Sequence, residues 1–466
     1  MEEQMEIESP VVGADFKSAP TTGDIPRGLE IQRSKRLRGN ITFTGDAHYA
    51  MFASAIASLG EEATRLENVP EAPWFQNYRT CLETLGASFE RIDNHWLVRR
   101  GVAVGVKDRL HIQPPNDIAA LILAGLASGL GVPVQWHYDL LRTSSDVRAL
   151  LSAVYPEGEL HRKARNFCKP FELKWDDTLV KIPLMFHHLA LGEGLELQLR
   201  RQGSDLLETL LRQFEIDLKV ERDDDKNADE LTRRLARQMR ATGKDELLTR
   251  VKLPVSSKPK AAFISLPADV GEASIVALVA TLIKGSDVLI ENVLLNPGRG
   301  GFFKALKRMG ADIEIVQRKE RFGEGVGALR VRSYDLFGKR FDEEALSDLR
   351  DETFLLLLAA TFAEGESVFR DLEYLHVDEH DPLKSFVADL KQAEVEIGEF
   401  EDGLVIRGRR ESDGATHDAL GHIGLAAAYA VLGLKSHGAS NVLGADVLEE
   451  RFPGLLKRLR FLGVPE

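Results

Sequence analysis

The stretch LLNPGRGGFFKALKRMGADIEIV, Leu294 to Val316, decides the fold. It opens on Asn296-Pro297-Gly298, a turn sequence in which Pro presets one φ and Gly accepts a positive one. An amphipathic helix follows, and after Met309-Gly310-Ala311 the pattern alternates as a strand does. Gly298, Gly300 and Gly301 surround Arg299. Two readings are open: a loop that cradles an anion, or the joint between a strand and a helix.

The same helix–strand joint recurs along the chain. LETLGASFERI starts at Leu82 and LKQAEVEIGEF at Leu390, with weaker copies at Leu150 (LLSAVYPEGEL), Leu211 (LRQFEIDLKVE) and Leu456 (LKRLRFLGV). With the copy at Leu306, the spacings are 68, 61, 95, 84 and 66 residues. The longest interval holds a charged segment, Glu221–Arg250, whose acids and bases alternate without a continuous apolar face. It predicts an exposed helix protruding from the first domain. Six units of roughly 65 residues, each with helices and strands, predict a repeat architecture. ASIVALVATLIKG and TFLLLLAATFAEG supply apolar helices, and the second is apolar all round, which predicts a buried helix. Three units per domain give two similar α/β domains.

The chain has 466 residues and a net charge of −13, from 60 basic and 73 acidic residues. A broad basic surface for nucleic acid is not expected. Two cysteines, Cys81 and Cys168, exclude a disulfide framework and fit a reducing cytoplasm. No apolar run approaches membrane-spanning length. The acidic, Pro/Gly/Thr-punctuated start lacks the basic and apolar regions of a signal peptide, and a disordered tail is expected over 1–35. A cytoplasmic monomer without cofactor or metal is the expectation.

The order of these pieces resembles the EPSP synthase (3-phosphoshikimate 1-carboxyvinyltransferase) family of enolpyruvyl transferases. VLLNPGRGGFFKALKRMGADIEI is similar to the family's N-P-T-R-x-G-x(5)-L-x-x-M-G-A-x-I. RDETFLLLLAATFAEGESVFRDLEYLHVDEHD is similar to D-E-I-P-x-L-A-x-A-A-x-A-E-G-x-T followed by E-L-R-V-K-E-S-D-R. The resemblance covers about Arg36 to Gly463. It implies the two-domain inside-out α/β barrel, with 45–267 as the first domain and 36–44 plus 268–466 as the second. Crossings are expected around Thr44–Asp46 and Pro267–Asp269. It also implies transfer of enolpyruvyl from phosphoenolpyruvate to shikimate 3-phosphate, a step towards aromatic amino acids. In that family the turn at Arg299 is mainly a structural joint.

Carried over residue by residue, the resemblance assigns Asp351 and Glu379 to catalysis. It assigns Asp46, Asn116, Arg142 and His422 to substrate binding. Other positions depart from the family. P-G-D-K-S-x-S-H-R becomes TGDAHYAMF, so its lysine is Ala47 and its arginine Phe52. The arginine of N-A-G-T-x-x-R is Ile122. K-E-S-D-R has Asp378 for its lysine and Pro382 for its arginine. The arginine of D-H-R is Ile423, and the last lysine is Glu450. Scaffold letters survive while cationic anion clamps are replaced. Six or so charge-assisted bonds at about 1.5–3 kcal/mol each amount to the order of 9 kcal/mol, even when discounted for coupling. Weak phosphoenolpyruvate binding is therefore expected, unless Lys181 or Arg451 has taken over.

Each sharp assignment has a bland counterpart. Asp351 also suits a helix N-terminus, where the dipole favours a carboxylate. Asp381 before Pro382 reads as an N-cap. His376-Val-Asp-Glu-His380 matches H-x-x-E-H, but it precedes a Pro-started helix, and a zinc site is not the expectation. His187-His188 reads as satisfied core or interdomain histidine. Three functions remain open: a divergent enolpyruvyl transferase, a non-catalytic relative that keeps the scaffold for binding or regulation, and, between them, a pocket re-tuned for a less anionic ligand.

Overall fold

The structure is a computed structural model. It describes residues 28–101, 110–112, 114–136, 177–199, 205–222, 249–296, 299–321, 324–346, 349, 351–372, 375–376, 381–408 and 411–464. The repeat seen in the sequence is a repeated hydrogen-bond motif. Helix α7 (Gly301–Arg308) ends where Gly310 N–H donates to Lys307 O at 2.9 Å and Ala311 N–H to Leu306 O at 3.2 Å; β13 (Asp312–Arg321) follows. Helix α10 (Pro382–Gln392) ends likewise before β17 (Glu396–Glu399), with Glu394 N–H on Lys391 O and Val395 N–H on Leu390 O, both 3.0 Å. Helix α5 (Leu206–Gln213) leads to β9 (Lys219–Arg222) through Glu215 and Ile216, and α13 (Leu455–Phe461) ends through Gly463 and Val464. This ending needs one residue in the left-handed region. Gly310 and Gly463 supply it at φ 104° and 110°, and Glu215 and Glu394 at 56° and 60°. The copy at Leu150 lies outside the described residues.

Three sheets share one plan, a parallel pair followed by two antiparallel strands. The first joins β11 (Phe263–Ser265), β3 (Thr64–Glu67), β5 (His95–Arg100) and β4 (Ala87–Ile92), in that order. The second joins β2 (Arg38–Ile41), β12 (Asp287–Leu294), β14 (Glu324–Arg332) and β13. The third joins β15 (Arg340–Phe341), β16 (Glu366–Phe369), β18 (Leu404–Arg407) and β17. A further sheet contains β19 (Thr416–Asp418), β20 (Ser440–Leu443) and β1 (Leu29–Ile31). The pair β6 (Leu110–Ile112) and β7 (Val134–Trp136) and the set β8 (Leu195–Leu199), β10 (Thr249–Leu253) and β9 complete the described strands.

Two expectations need correction. Leu29–Ile31 lies inside the stretch read as a disordered tail, yet it pairs with Ser440–Val442 in β20 because Leu29 and Ile31 have an apolar floor to cover. The charged segment begins and ends in strand. Arg222 pairs with Thr249 and Glu221 with Arg250, so only 223–248 fall between the strands, and these lie outside the described residues.

The sheets lie against buried helices. In α6 (Val270–Leu282) and α9 (Glu352–Thr361) nearly every side chain is buried, and α11 (Ile423–Lys435) packs against both. Such helices have no solvent face, which is why their sequences are apolar all round. In the other half α1 (Ala47–Ala57), α3 (Asp117–Leu130) and α4 (Asp177–Leu191) are the counterparts. No described helix is long and apolar enough to cross a membrane.

Helices α3 and α4 approach closely because Gly125 and Gly129 face them. A Cβ on Gly129 would sit 2.3 Å from His187 O, and one on Gly125 2.4 Å from Pro183 O. His187 Nδ1 bonds Ser128 Oγ at 2.8 Å across this seam, and burial with His188 beside it pushes its pKa down to about 4. Gly129→Ala should force the helices apart and lower stability by about 1–3 kcal/mol in urea unfolding. Gly398→Ala, whose nearest neighbour would be 3.9 Å away, should leave the midpoint almost unmoved.

Candidate functional site

The segments 44–46 and 267–269 lie side by side and bring two helix starts face to face. Gly45 and Ala268 form an antiparallel bridge, Asp46 N–H donates to Pro267 O at 2.8 Å, and Asp269 N–H donates to Thr44 O at 2.9 Å. Asp46 caps α1 and Asp269 caps α6, and each also reaches the other's helix. Asp46 Oδ1 accepts from Tyr49 N–H at 3.0 Å and its Oδ2 from Val270 N–H at 3.3 Å. Asp269 Oδ1 accepts from Gly271 and Glu272 N–H at 2.8 and 3.2 Å, and its Oδ2 from Ala47 N–H at 3.1 Å. Helix N-termini present free N–H groups and positive potential, and here the protein's own carboxylates take both.

Arg299 lies between them. Its guanidinium donates to Asp46 Oδ2 at 3.0 Å, with side chains 8% and 0% exposed. The turn is thus a joint, and its arginine is bound by carboxylates. Burial alone would raise the Asp46 pKa, but Arg299, His48 and the Tyr49 N–H outweigh it and hold the carboxyl well below the usual range. Glu352, buried at the start of α9, also faces Arg299, and burial pushes its pKa up to about 7 against that attraction. Glu272 is fully buried in the first turn of α6 and pairs with Arg458 of α13. Burial pushes it up to about 8, and its Oε2 has no partner. Arg451, on α12 (Asp446–Arg451), donates to Asp269 Oδ2 at 3.3 Å and lies over the rings of Trp74 and Phe452.

Asp351 and His422 meet at the starts of α9 and α11. A Cβ on Gly424 would lie 2.6 Å from Asp351 O, which shows how closely the two starts approach. Asp351 is exposed and makes no capping bond. His422 Nδ1 accepts from Leu425 N–H at 3.3 Å, and its ring stands edge-on to Phe354. Burial lowers the His422 pKa, with Asp351 pulling the other way. An Nδ1 that accepts leaves the neutral ring's proton on Nε2. The exposed carboxyl group of Asp351 thus lies near enough to the neutral imidazole of His422 to act on it electrostatically.

The other predicted residues are placed differently. Asn116 caps α3, its Oδ1 accepting from Ala119 N–H at 2.9 Å. Asp46, assigned to substrate, has both oxygens occupied by protein groups. Arg142 and Glu379 lie outside the described residues. Asp381 caps α10, accepting from Leu383 and Lys384 N–H at 3.0 Å, and His376 bonds its other oxygen at 2.5 Å. Among the described residues no three His, Cys, Asp or Glu form a metal-holding group. Lys181 is buried against Glu208 at 2.7 Å. Glu272, Glu352 and Arg458 escaped the sequence reading. The signal was present in VGEASIVALVATL, where a lone carboxylate in an apolar helix demands a buried partner.

A family model described as EPSP synthase (3-phosphoshikimate 1-carboxyvinyltransferase) matches residues 242–459. A 3-phosphoshikimate 1-carboxyvinyltransferase of Chelativorans sp. (strain BNC1) is 28% identical over 94% of this chain and 97% of its own length. One from Persephonella marina is 36% identical over 44% of this chain and 48% of its own length. An EPSP synthase structure from Acinetobacter baumannii superposes with a TM-score of 0.73 at 19% identity, covering 94% of this chain and 99% of that one. The enolpyruvyl transferase NikO from Streptomyces tendae superposes at 0.64 and 16% identity, covering 94% of this chain and 98% of that one. With helices inside and sheets outside, and with these matches along almost its whole length, the chain has the fold of EPSP synthases, and its second half matches the EPSP synthase family model.

Proposed function

We propose that the chain keeps the enolpyruvyl-transferase scaffold but binds phosphoenolpyruvate and shikimate 3-phosphate weakly, turns them over poorly or not at all, and serves as a ligand-binding or regulatory relative. The observation that carries this reading is the occupancy of the junction. Its helix starts are filled by Asp46 and Asp269, Arg299 and Arg451 are each paired with a carboxylate, and Arg458 bonds the buried carboxyl of Glu272. Ala47, Phe52 and Ile122, where family cations are expected, are 2%, 6% and 0% exposed, and Phe52 stacks on Phe186. A multiply charged anion entering there would lose its hydration with little to offset the cost.

Calorimetry with each ligand and a phosphate-release assay test the proposal. The expected results are dissociation constants weaker than about 1 mM, near −4 kcal/mol, and phosphate release close to background. Micromolar affinity with ordinary turnover would overturn it. The Asp351–His422 pair favours a second reading, enolpyruvyl transfer to a less anionic acceptor. On that reading Asp351→Asn abolishes turnover while leaving the unfolding midpoint in place.

A further inference from the structure

Away from the junction, the start of α2 (Pro73–Thr84) packs on α12, an element from the other end of the chain. Trp74, in the first turn of α2, donates from Nε1–H to Arg451 O at 3.3 Å. The Arg451 guanidinium lies 5.2 Å from the centre of the Trp74 ring and 4.7 Å from that of Phe452. It also donates to Asp269 Oδ2 at 3.3 Å, with side chains 26% and 3% exposed. A second contact of this kind runs from Asn296 Nδ2 to Asp205 Oδ1 at 3.0 Å, between the Arg299 turn and the start of α5. The threading of the chain gives these contacts their importance. Among the described strands, β3 to β11 pair only with one another, and so do the strands outside that range. The chain passes between the two sets at 44–46 and again at 267–269, and these segments lie side by side. Bodies joined by adjacent segments rotate about them unless a large apolar interface opposes it. Trp74–Arg451 and Asn296–Asp205 are polar contacts between part-buried groups.

We propose that Trp74 and Arg451 form a strap that fastens two bodies of the chain in the arrangement seen here, and that its release lets them swing apart about 44–46 and 267–269. The strap can open without stranding a charge. Arg451 and Asp269 both lie on the side of α6 and α12, so their ion pair survives when Trp74 leaves. The Trp74 Nε1–H and the freed Arg451 carbonyl then meet water, which satisfies both. The bond and the ring contact join the same two residues, so they are made and lost together. A cation over an indole contributes most when water is excluded, and that favours the fastened arrangement. The reciprocal caps at Asp46 and Asp269 and the buried Arg299 pair stay at the pivot. The strap concerns shape alone and stands under either reading of function.

Small-angle scattering and amide exchange on the full chain test the strap. Trp74→Ala removes the ring and its N–H but leaves the Arg451–Asp269 pair in place. It should give a larger radius of gyration than the parent. Exchange at the start of α2 and along α12 should quicken by about tenfold, the scale of one part-buried cation–ring contact. Protection inside α1 and α6 should not change. Trp74→Phe keeps a ring under the guanidinium and should expand the protein less. Arg451→Gln replaces Trp74→Ala if that variant fails to fold, since Asp269 still accepts from Gly271, Glu272 and Ala47 N–H. An unchanged radius of gyration in a folded variant overturns the proposal. So does expansion with lost protection inside α1 and α6, which would make the contact part of the core rather than a tie between bodies.

Discussion

Arg299→Met should destabilise the fold by about 3–5 kcal/mol, the scale for removing one partner from a buried ion pair. The arginine is the cation between Asp46, which is 0% exposed, and Glu352, with Asp269 also contributing to its raised pKa. Without it, the fully buried Asp46 carboxylate loses a 3.0 Å charge-assisted bond. Chemical denaturation measures the loss. The double variant Asp46→Asn/Arg299→Met should recover part of it, since an asparagine oxygen can still accept from Tyr49 N–H while carrying no charge. A loss below about 1 kcal/mol, in the range of an exposed ion pair, would mean that the junction rearranges around the missing charge.

Stability should fall as pH rises from about 5 to 8. Glu272 and Glu352 have ordinary values of 4.5, and the fold raises them to about 8 and about 7, burial being the main cause. Between those limits the folded chain holds protons that the unfolded chain releases, so alkali favours unfolding. The contribution is fully present near pH 4.5 and is lost as pH passes through 7 and 8. For Glu272 the loss is on the order of several kcal/mol. Asp46 acts in the opposite sense and elsewhere, because its lowered pKa stabilises above about pH 4 and is lost only in stronger acid. Glu272→Gln, neutral at every pH, should flatten the slope and leave the protein more stable than the parent at pH 9. Denaturation midpoints across pH 5.5 to 9 test this. A flat parent profile, or a variant that loses stability equally at all pH values, would refute it.

What the sequence disclosed was local. The joint at Leu306–Ala311 and its copies are legible because a helix-ending turn leaves its own letters within five residues. The Asp381–Pro382 cap is legible for the same reason. Asn116 was assigned to a ligand although its offset to Ala119 is that of an N-cap, so there the family comparison outweighed the local signal. The junction was not legible. Arg299 meets Asp46 across 253 positions, and Arg458 meets Glu272 across 186. No periodicity links residues that far apart. β1 was hidden by its length, since a Leu-Glu-Ile triplet after an acidic stretch carries too few alternations to register as a strand.

The reciprocal capping of Asp46 and Asp269 has a consequence for how the chain is made. The bond from Ala47 N–H to Asp269 Oδ2 closes over 222 positions. A ribosome adding about 5–20 residues per second needs roughly 11–44 s to make that partner after Ala47 itself. Strand β2 waits similarly for Asp287–Ile290, and β1 for Ser440–Val442. The N-terminal half therefore emerges with the start of α1 missing its cross-chain acceptor and with two strands awaiting later neighbours. A nascent chain stalled before residue 269 should stay sensitive to protease around Leu29–Asp46, and that sensitivity should vanish only when the second half has been synthesised.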